Sequence, residues 1–348
     1  MSDQPVNDEE QWRRYLDEAA KLAAASDAPH GPNPRVGCVV LDRHGQVVGR
    51  GYHRGAGTAH AEVMALQEAG ERASGGTAIV TLEPCAHVGR TGPCTKALLL
   101  AGVRRVLYGQ AEPSNRGGAA ELRSGGVDVI GPFPDGHWQK LNTEWTHFQC
   151  TGRPFVTLKM AMSLDGRVGL PGNRPLRITG EAARVWTHRL RAQVGAVLIG
   201  SGTAVADDPL LTVRDAFGQA MAKQPLRVVI GERHLPDDLA LMHQPGDWVH
   251  RQDRDLSAAL AWLAARDVWH VLVEGGPTLA TALLADGLVD RLAWFIAPQV
   301  VGAGPVTLPE QLPVTHLQVS EVQQIGEDVL VIAEPLHPDE RPALLGSQ

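Results

Sequence analysis

His60-Ala61-Glu62-Val63 and Thr81-Leu82-Glu83-Pro84-Cys85-Ala86-His87-Val88-Gly89-Arg90-Thr91-Gly92-Pro93-Cys94 are the two stretches on which the reading of the first half turns. The apolar run Thr77 to Leu82 has the length and β-branched character of a strand, and His60 opens a pattern that reads as a helix to about Ala73. Another helix is expected after Cys94. A histidine at a helix start and two cysteines in a strand-to-helix loop supply one imidazole and two thiolates. Three protein ligands leave the fourth tetrahedral position of zinc open, as in catalytic rather than structural sites. A helix N-terminus favours thiolate over thiol, which suits this placement. His60, Cys85 and Cys94 are therefore the expected metal ligands. Zinc lowers the pKa of a water at its open position toward neutrality, so zinc-hydroxide is the expected nucleophile for hydrolytic deamination of an amidine-like ring carbon. Glu62, two residues from a ligand and not itself one, is the expected catalytic acid/base. A closed structural zinc site would instead need a fourth ligand, for which Cys38 and His87 are the nearby candidates.

Outward from these stretches the pattern alternates. A helix is expected over Trp12 to Ala25, a hairpin of Val36 to Leu41 and Val47 to Tyr52, a strand Val103 to Tyr108, a helix near Ala119, a strand Val127 to Ile130 and a short helix through Trp145. Beyond Thr151-Gly152-Arg153-Pro154 a second series begins. It comprises strand Phe155 to Met162, helix Gly180 to Gln193, strands Ala196 to Ile199 and Leu226 to Ile230, helix Leu256 to Ala265, strand Trp269 to Val273, helix Thr278 to Ala285, and strands near Arg291 to Ile296 and Val329 to Ala333. The fold class is α/β in both halves, with a boundary near residue 151 that separates residues 1–150 from 151–348. A poorly ordered tail is expected from Pro335 onward.

Composition agrees with two domains: 348 residues exceed the usual size of one, and 43% hydrophobic with 20% charged residues is ordinary for a globular chain. No stretch reaches the apolar length of a membrane span, and the polar, acidic opening from Met1 to Trp12 does not read as a secretory signal, so a cytoplasmic protein is expected. Four cysteines, Cys38, Cys85, Cys94 and Cys150, are too few for a disulfide framework in this length and are left for metal. A net charge of -7 provides no overall attraction to phosphate backbones, so neither nucleic acid nor membrane is an expected partner.

At this point the sequence resembles the bifunctional deaminase/reductase family of riboflavin biosynthesis. In the first half Pro32-Asn33-Pro34-Arg35-Val36-Gly37-Cys38-Val39, Gly51-Tyr52-His53 and the two opening stretches carry the likeness, above all the eight residues between Cys85 and Cys94. In the second half it rests on Leu158-Lys159-Met160-Ala161-Met162-Ser163-Leu164-Asp165-Gly166-Arg167, Ile178-Thr179, Leu190-Arg191-Ala192, the run Gly202 to Arg214, and Glu274-Gly275-Gly276-Pro277-Thr278-Leu279. The resemblance implies a cytidine-deaminase-like three-layer sandwich followed by a dihydrofolate-reductase-like α/β domain. It implies removal of the ring amino group of a diaminopyrimidinone bearing a ribosylamino 5'-phosphate, then reduction of the ribosyl group to ribityl with NADPH. By the same resemblance Asn33, His53, His87 and Arg90 line the pyrimidine and phosphate site of the deaminase. Lys159, Arg191, Asp207, Leu211, Arg214 and Glu274 surround the ribose phosphate, and Ala161, Thr179, Thr203, Gly275, Gly276, Pro277 and Thr278 face the cofactor. A dimer or tetramer of identical chains is expected.

Two departures stand out. The family's Asp-Pro-Asn-Pro is Glu112-Pro113-Ser114-Asn115 here, with a shortened glycine-rich continuation at Gly117-Gly118. The family's Ser-x-Trp-Ile-Thr is Pro175-Leu176-Arg177-Ile178-Thr179, which makes Arg177 a candidate for the extra phosphate of NADPH. These leave open a two-domain paralogue acting on another aminopyrimidine or purine, or one with an impaired deaminase site. An editing enzyme acting on flipped bases and a non-catalytic zinc module are the readings from other classes.

Overall fold

In the central strands of the first half, successive residues point to opposite faces and both faces are buried, so the sheet must carry helices on each side. The computed structural model describes residues 8–25, 33–55, 57–87, 92–114, 116–171, 176–215, 217–308, 312 and 314–336. Its contacts divide the chain into two compact units, Met1–Gly152 and Arg153–Gln348.

The first unit runs α1 (Asp8–Ala24), β1 (Gly37–Leu41), β2 (Val47–Tyr52), α2 (Ala61–Ala69), a short 3-10 turn (Gly70–Ala73), β3 (Thr77–Leu82), α3 (Cys94–Leu100), β4 (Arg105–Gln110), α4 (Ala119–Ser124), β5 (Asp128–Ile130), α5 (His137–Lys140) and α6 (Thr143–Thr151). Its sheet has the order β2-β1-β3-β4-β5, with β1 antiparallel to β2 and β3 and the last three strands parallel. Cys38, Val40, Ala78, Val80, Val106 and Tyr108 face α2, α3 and α4. Their neighbours Val39, Leu41, Ile79 and Leu107 face Leu16, Ala19 and Ala20 of α1 and Trp138 of α5. This is period-two alternation between two apolar layers, the three-layer arrangement. Leu16 is fully buried, so its truncation to alanine would cost about 2–5 kcal/mol. Gly51 lets α2 lie directly on β2, because a Cβ there would stand 2.1 Å from the Ala61 carbonyl oxygen. That close approach sets where the N-terminus of α2, and hence His60, sits.

The second unit runs β6 (Phe155–Ser163), α7 (Glu181–Arg191), β7 (Ala196–Gly200), α8 (Ser201–Asp207), β8 (Leu226–Ile230), a 3-10 turn (Ala240–His243), β9 (Trp248–Arg251), α9 (Leu256–Ala264), β10 (His270–Val273), α10 (Pro277–Ala285), β11 (Arg291–Ala297), β12 (Leu317–Ile325) and β13 (Asp328–Pro335). The sheet order is β12-β13-β11-β6-β10-β7-β8-β9, parallel from β11 to β9 and antiparallel across β12-β13-β11. Helices α9 and α10 pack on one face. Ala183 and Trp186 of α7 and Ala204 of α8 pack on the other. The carboxyl ends of β6, β10 and β7 lie side by side, the edge at which open parallel sheets gather ligands.

Several expectations need correction. No helix is expected between the strands Ala196 to Ile199 and Leu226 to Ile230, but α8 starts at Ser201, with Ala204 packed into the core. The four-residue β9 and the strand β12 were not anticipated; β12 is exposed on both faces and so shows no apolar alternation. The helix expected to Ala73 ends at Ala69, where Gly70 takes a positive φ of 56°. The single short helix expected through Trp145 is two, α5 and α6. Strand β13 continues to Pro335, and the remainder of the expected tail, from 337 on, lies outside the described residues. Among the described residues no helix is long and apolar enough to cross a membrane.

Candidate active sites

In the first unit, His60 is the N-cap of α2, Cys94 is the first residue of α3, and Cys85 lies in the loop after β3. The His60 Nδ1 stands 3.1 Å from the Cys94 Sγ and 3.7 Å from the Cys85 Sγ. The three donor atoms lie within 4.8 Å of one another. Zinc held tetrahedrally by one nitrogen and two sulfurs has ligand-to-ligand edges of about 3.5–3.8 Å, so this N/S/S set fits the ion. Neither Cys38 nor His87 joins the three. Cys38 is buried in the core on β1, whereas His87 faces a cavity.

That cavity, of about 340 Å³, is lined by Asn33, His53, His60, Glu62, Cys85 and His87, among others. Five candidate residues from three stretches of chain are thus brought together around Glu62, while Arg90 lies outside the described residues. The His53 Nδ1 meets the Ala59 carbonyl at 3.2 Å; a carbonyl only accepts, so that nitrogen carries the proton. Nε2 then accepts from the Asn33 side-chain amide at 2.9 Å, which orients the amide in the cavity. Burial lowers the His53 pKa and favours this neutral form. Glu62 is 4% exposed, and burial raises its pKa, as suits a carboxyl that must both take and return a proton. A hydrogen bond from the Cys94 thiol holds Cys85 down to about 4, and the same sharing pushes Cys94 up.

Glu83 was not singled out in the sequence, although an acid directly before the Pro84-Cys85 ligand loop was a visible signal. It joins two loops at the site: Oε1 accepts from the Ala119 N–H at 3.0 Å and Oε2 from the Glu112 N–H at 3.2 Å. A Cβ on Gly117 would stand 2.2 Å from this carboxylate, so glycine is required for the approach.

In the second unit, Glu274 follows β10 between Lys159 on β6 and Arg191 at the end of α7. Burial opposes the charge on Glu274, but Arg191 and Lys159 outweigh it and hold the carboxyl below its usual range. The Lys159 ammonium, 5.7 Å from the Phe295 ring centre, is lowered by burial and partly restored by Glu274. Arg191 Nη1 donates to the Thr212 carbonyl at 3.0 Å, and Arg214 Nε donates to the Thr212 hydroxyl at 3.1 Å. Thr212, absent from the expected set, therefore links the two arginines. Asp207 ends α8, its pKa raised by burial, and Leu211 is buried with a positive φ of 54°.

Gly276 is the N-cap of α10, with Pro277 at its first turn and Thr278 next. Its N–H donates to the Thr203 hydroxyl at 3.0 Å, which joins the α8 and α10 turns. Gly275 precedes it with no room for a side chain against Leu279. Ala161 is half-buried on β6, and Thr179 is half-buried before α7. Arg177 is the candidate not brought into the group: it is exposed and pairs with Glu181 at 3.2 Å.

A family model for the cytidine and deoxycytidylate deaminase zinc-binding region matches residues 9–110, and one for the RibD C-terminal domain matches residues 154–331. The chain is 40% identical over 309 residues to riboflavin biosynthesis protein RibD of Mycobacterium tuberculosis, covering 86% of this chain and 90% of that protein. Against RibD of Escherichia coli identity is 38% over 356 residues, covering 90% and 97%. The solved structure of Acinetobacter baumannii RibD matches with a TM-score of 0.88 at 33% identity, over 94% of this chain and 99% of that one. For the Thermotoga maritima diaminohydroxyphosphoribosylaminopyrimidine deaminase/5-amino-6-(5-phosphoribosylamino)uracil reductase the TM-score is 0.85 at 28% identity, over 95% and 100%. The chain therefore belongs to the RibD family of riboflavin-biosynthesis enzymes, in which a zinc-binding deaminase region is followed by a reductase.

Proposed function

We propose that the first unit hydrolytically deaminates a diaminopyrimidinone bearing a ribosylamino 5'-phosphate, and that the second reduces the ribosyl group of the product to ribityl. The observation that carries this reading is the grouping of His60, Cys85 and Cys94 as one donor set, with His60, Cys85 and buried Glu62 lining one cavity. His60, Cys85 and Cys94 hold zinc, which when bound supplies a nucleophilic water at neutral pH. Glu62 would move two protons in turn, one from the attacking water to the ring nitrogen and a second from the added hydroxyl to the amino group, which then leaves as ammonia. Asn33, oriented by His53, and His87 present polar groups to the pyrimidine. The longer acid at Glu112 is accounted for within its own loop, where it accepts from the Ser114 and Arg116 N–H groups, which favours the family's substrate over another ring.

In the second unit NADPH, when bound, supplies the hydride. The turn at the start of α10 offers the backbone N–H groups of Gly275 and Thr278 to its phosphates, while Pro277 has none and that of Gly276 is given to the Thr203 hydroxyl. Lys159, Arg191 and Arg214 supply positive charge for the ribose phosphate, with Glu274 fixing the first two. Asp207 and Leu211 border that site, and Ala161 and Thr179 belong to its cofactor side, whereas Arg177, exposed and paired with Glu181, stays outside it. We place the protein in the cytoplasm, supported by four free cysteines, and as a homo-oligomer, supported by the exposed edge strand β12 with Val319 and Val322 outward. Mass analysis of the products made from the diaminopyrimidinone phosphate, with and without NADPH, tests the reading. A deaminated ribosyl product without NADPH and a deaminated ribityl product with it are expected; a product that keeps the amine overturns it.

A further inference from the structure

Asn142 occupies the N-cap position of α6, where an asparagine commonly accepts from a backbone N–H of its own helix. Among the described residues it makes no such cap. Its side chain, buried at 4% exposure, is given to Arg35 instead: Oδ1 accepts from the Arg35 N–H at 2.7 Å, and Nδ2 donates to the Arg35 carbonyl at 2.8 Å. One amide thus pairs in both directions with the main chain of one residue, as a neighbouring strand would. Its place in the sheet explains the need. β1 pairs with β3 only from Cys38 onward, and ahead of that point side chains take over: the Thr81 hydroxyl accepts from the Gly37 N–H at 3.1 Å, and Asn142 serves Arg35. On the opposite edge the His53 N–H donates to the Val36 carbonyl at 2.9 Å.

Two residues before Arg35 stands Asn33, which lines the deaminase cavity. Only Pro34 lies between them, and its ring fixes one of the intervening torsions. The hold on Arg35 therefore limits where the Asn33 amide stands as it meets the His53 Nε2 at 2.9 Å. Asn142 is itself firmly seated. Its carbonyl accepts from the Thr146 N–H at 2.8 Å, and the Thr146 hydroxyl accepts from the Gln110 side-chain amide at 2.8 Å, which pins α6 to β4. Trp145 and Gln149 of the same helix line the cavity as well, so the Asn142 amide joins two of its walls. We propose that Asn142 is a positioning residue of the deaminase, which by holding the main chain of Arg35 fixes Asn33 for the pyrimidine. This rests on the deaminase reading above and goes beyond it by naming what orients one of the groups that meet the ring.

The test is a double-mutant cycle on ammonia release from the diaminopyrimidinone ribosylamine phosphate, with Asn142→Ala, Asn33→Ala and the pair made in the full chain and zinc content measured for each. Loss of one oriented hydrogen bond predicts that Asn142→Ala lowers kcat/KM about tenfold, through KM more than kcat, with zinc retained. In the Asn33→Ala background the same substitution should change kcat/KM by less than about twofold, because the group it positions is gone. Asn142→Asp keeps the side-chain shape and the acceptor for the Arg35 N–H but gives up the amide donor, and it carries the same cycle should Asn142→Ala lose zinc. Additive losses, no loss, or a loss confined to kcat overturn the inference while leaving the deaminase reading intact. Wild-type protein that releases no ammonia from this compound overturns both.

Discussion

The guanidinium of Arg191 and the carboxylate of Glu274 form a two-pronged pair, Nε to Oε1 at 2.5 Å and Nη2 to Oε2 at 2.9 Å. Their side chains are only 14% and 10% exposed, so the pair sits where removing one partner strands a charge. Glu274→Gln leaves Arg191 and Lys159 without their counter-charge. Urea unfolding should show the second unit destabilised by about 3–5 kcal/mol, and an unchanged midpoint would contradict the pairing.

Asp165 titrates low for a different reason. The Ser163 hydroxyl at 2.6 Å and the N–H groups of Val301 at 3.0 Å and Gly302 at 2.7 Å donate to its carboxylate and hold it down to about 2, against an ordinary 3.8. Since the folded value lies below the unfolded one, the stabilisation is complete above about 3.8 and is lost as pH falls through about 2. A carboxyl NMR titration should find that low value. Asp165→Asn should remove this part of the acid dependence, and a normal titration would refute the hydrogen-bond assignment.

The proposed metal ligands and Glu62 should separate cleanly in metal analysis. Cys94→Ser is expected to purify with little zinc. Glu62→Gln should keep zinc and lose about 10²–10⁴-fold in deamination, because the carboxylate moves protons without coordinating. A zinc-loaded Cys94→Ser or a zinc-free Glu62→Gln would reverse these roles.

Gly117→Ala forces a Cβ to within 2.2 Å of the Glu83 carboxylate, so the loop carrying Arg116 must move away from Cys85. A displacement of about 1 Å beside the reacting centre is worth on the order of 10²-fold in rate. Ammonia release should fall by about that factor while NADPH oxidation with deaminated substrate stays at the wild-type rate. Equal loss of both activities would show that the substitution acts on folding instead.

Much of this was legible in the residues because two kinds of signal are local. Apolar runs such as Thr77 to Leu82 and Phe155 to Met162 announce buried strands, and the histidine and cysteine positions announce a metal donor set before any geometry is known. Contacts that depend on distant loops were hidden. The grip of Glu83 on Ala119 and Glu112, and the role of Thr212 between Arg191 and Arg214, exist only once separate segments meet. β12 escaped notice because both of its faces are exposed, which removes the alternation by which a half-buried strand is recognised. Arg177 was noticed for its unusual residue type, and its observed partner is the neighbouring Glu181.

The most direct measurement is to supply purified protein with the diaminopyrimidinone ribosylamine phosphate and record ammonia release and NADPH oxidation separately, with Glu62→Gln alongside. Wild type should show both, ammonia first. Glu62→Gln should release ammonia at least about 10²-fold more slowly, yet oxidise NADPH when given the deaminated compound. NADPH oxidation without ammonia release in the wild type, or ammonia release undiminished in Glu62→Gln, would contradict a two-site enzyme whose first step depends on Glu62.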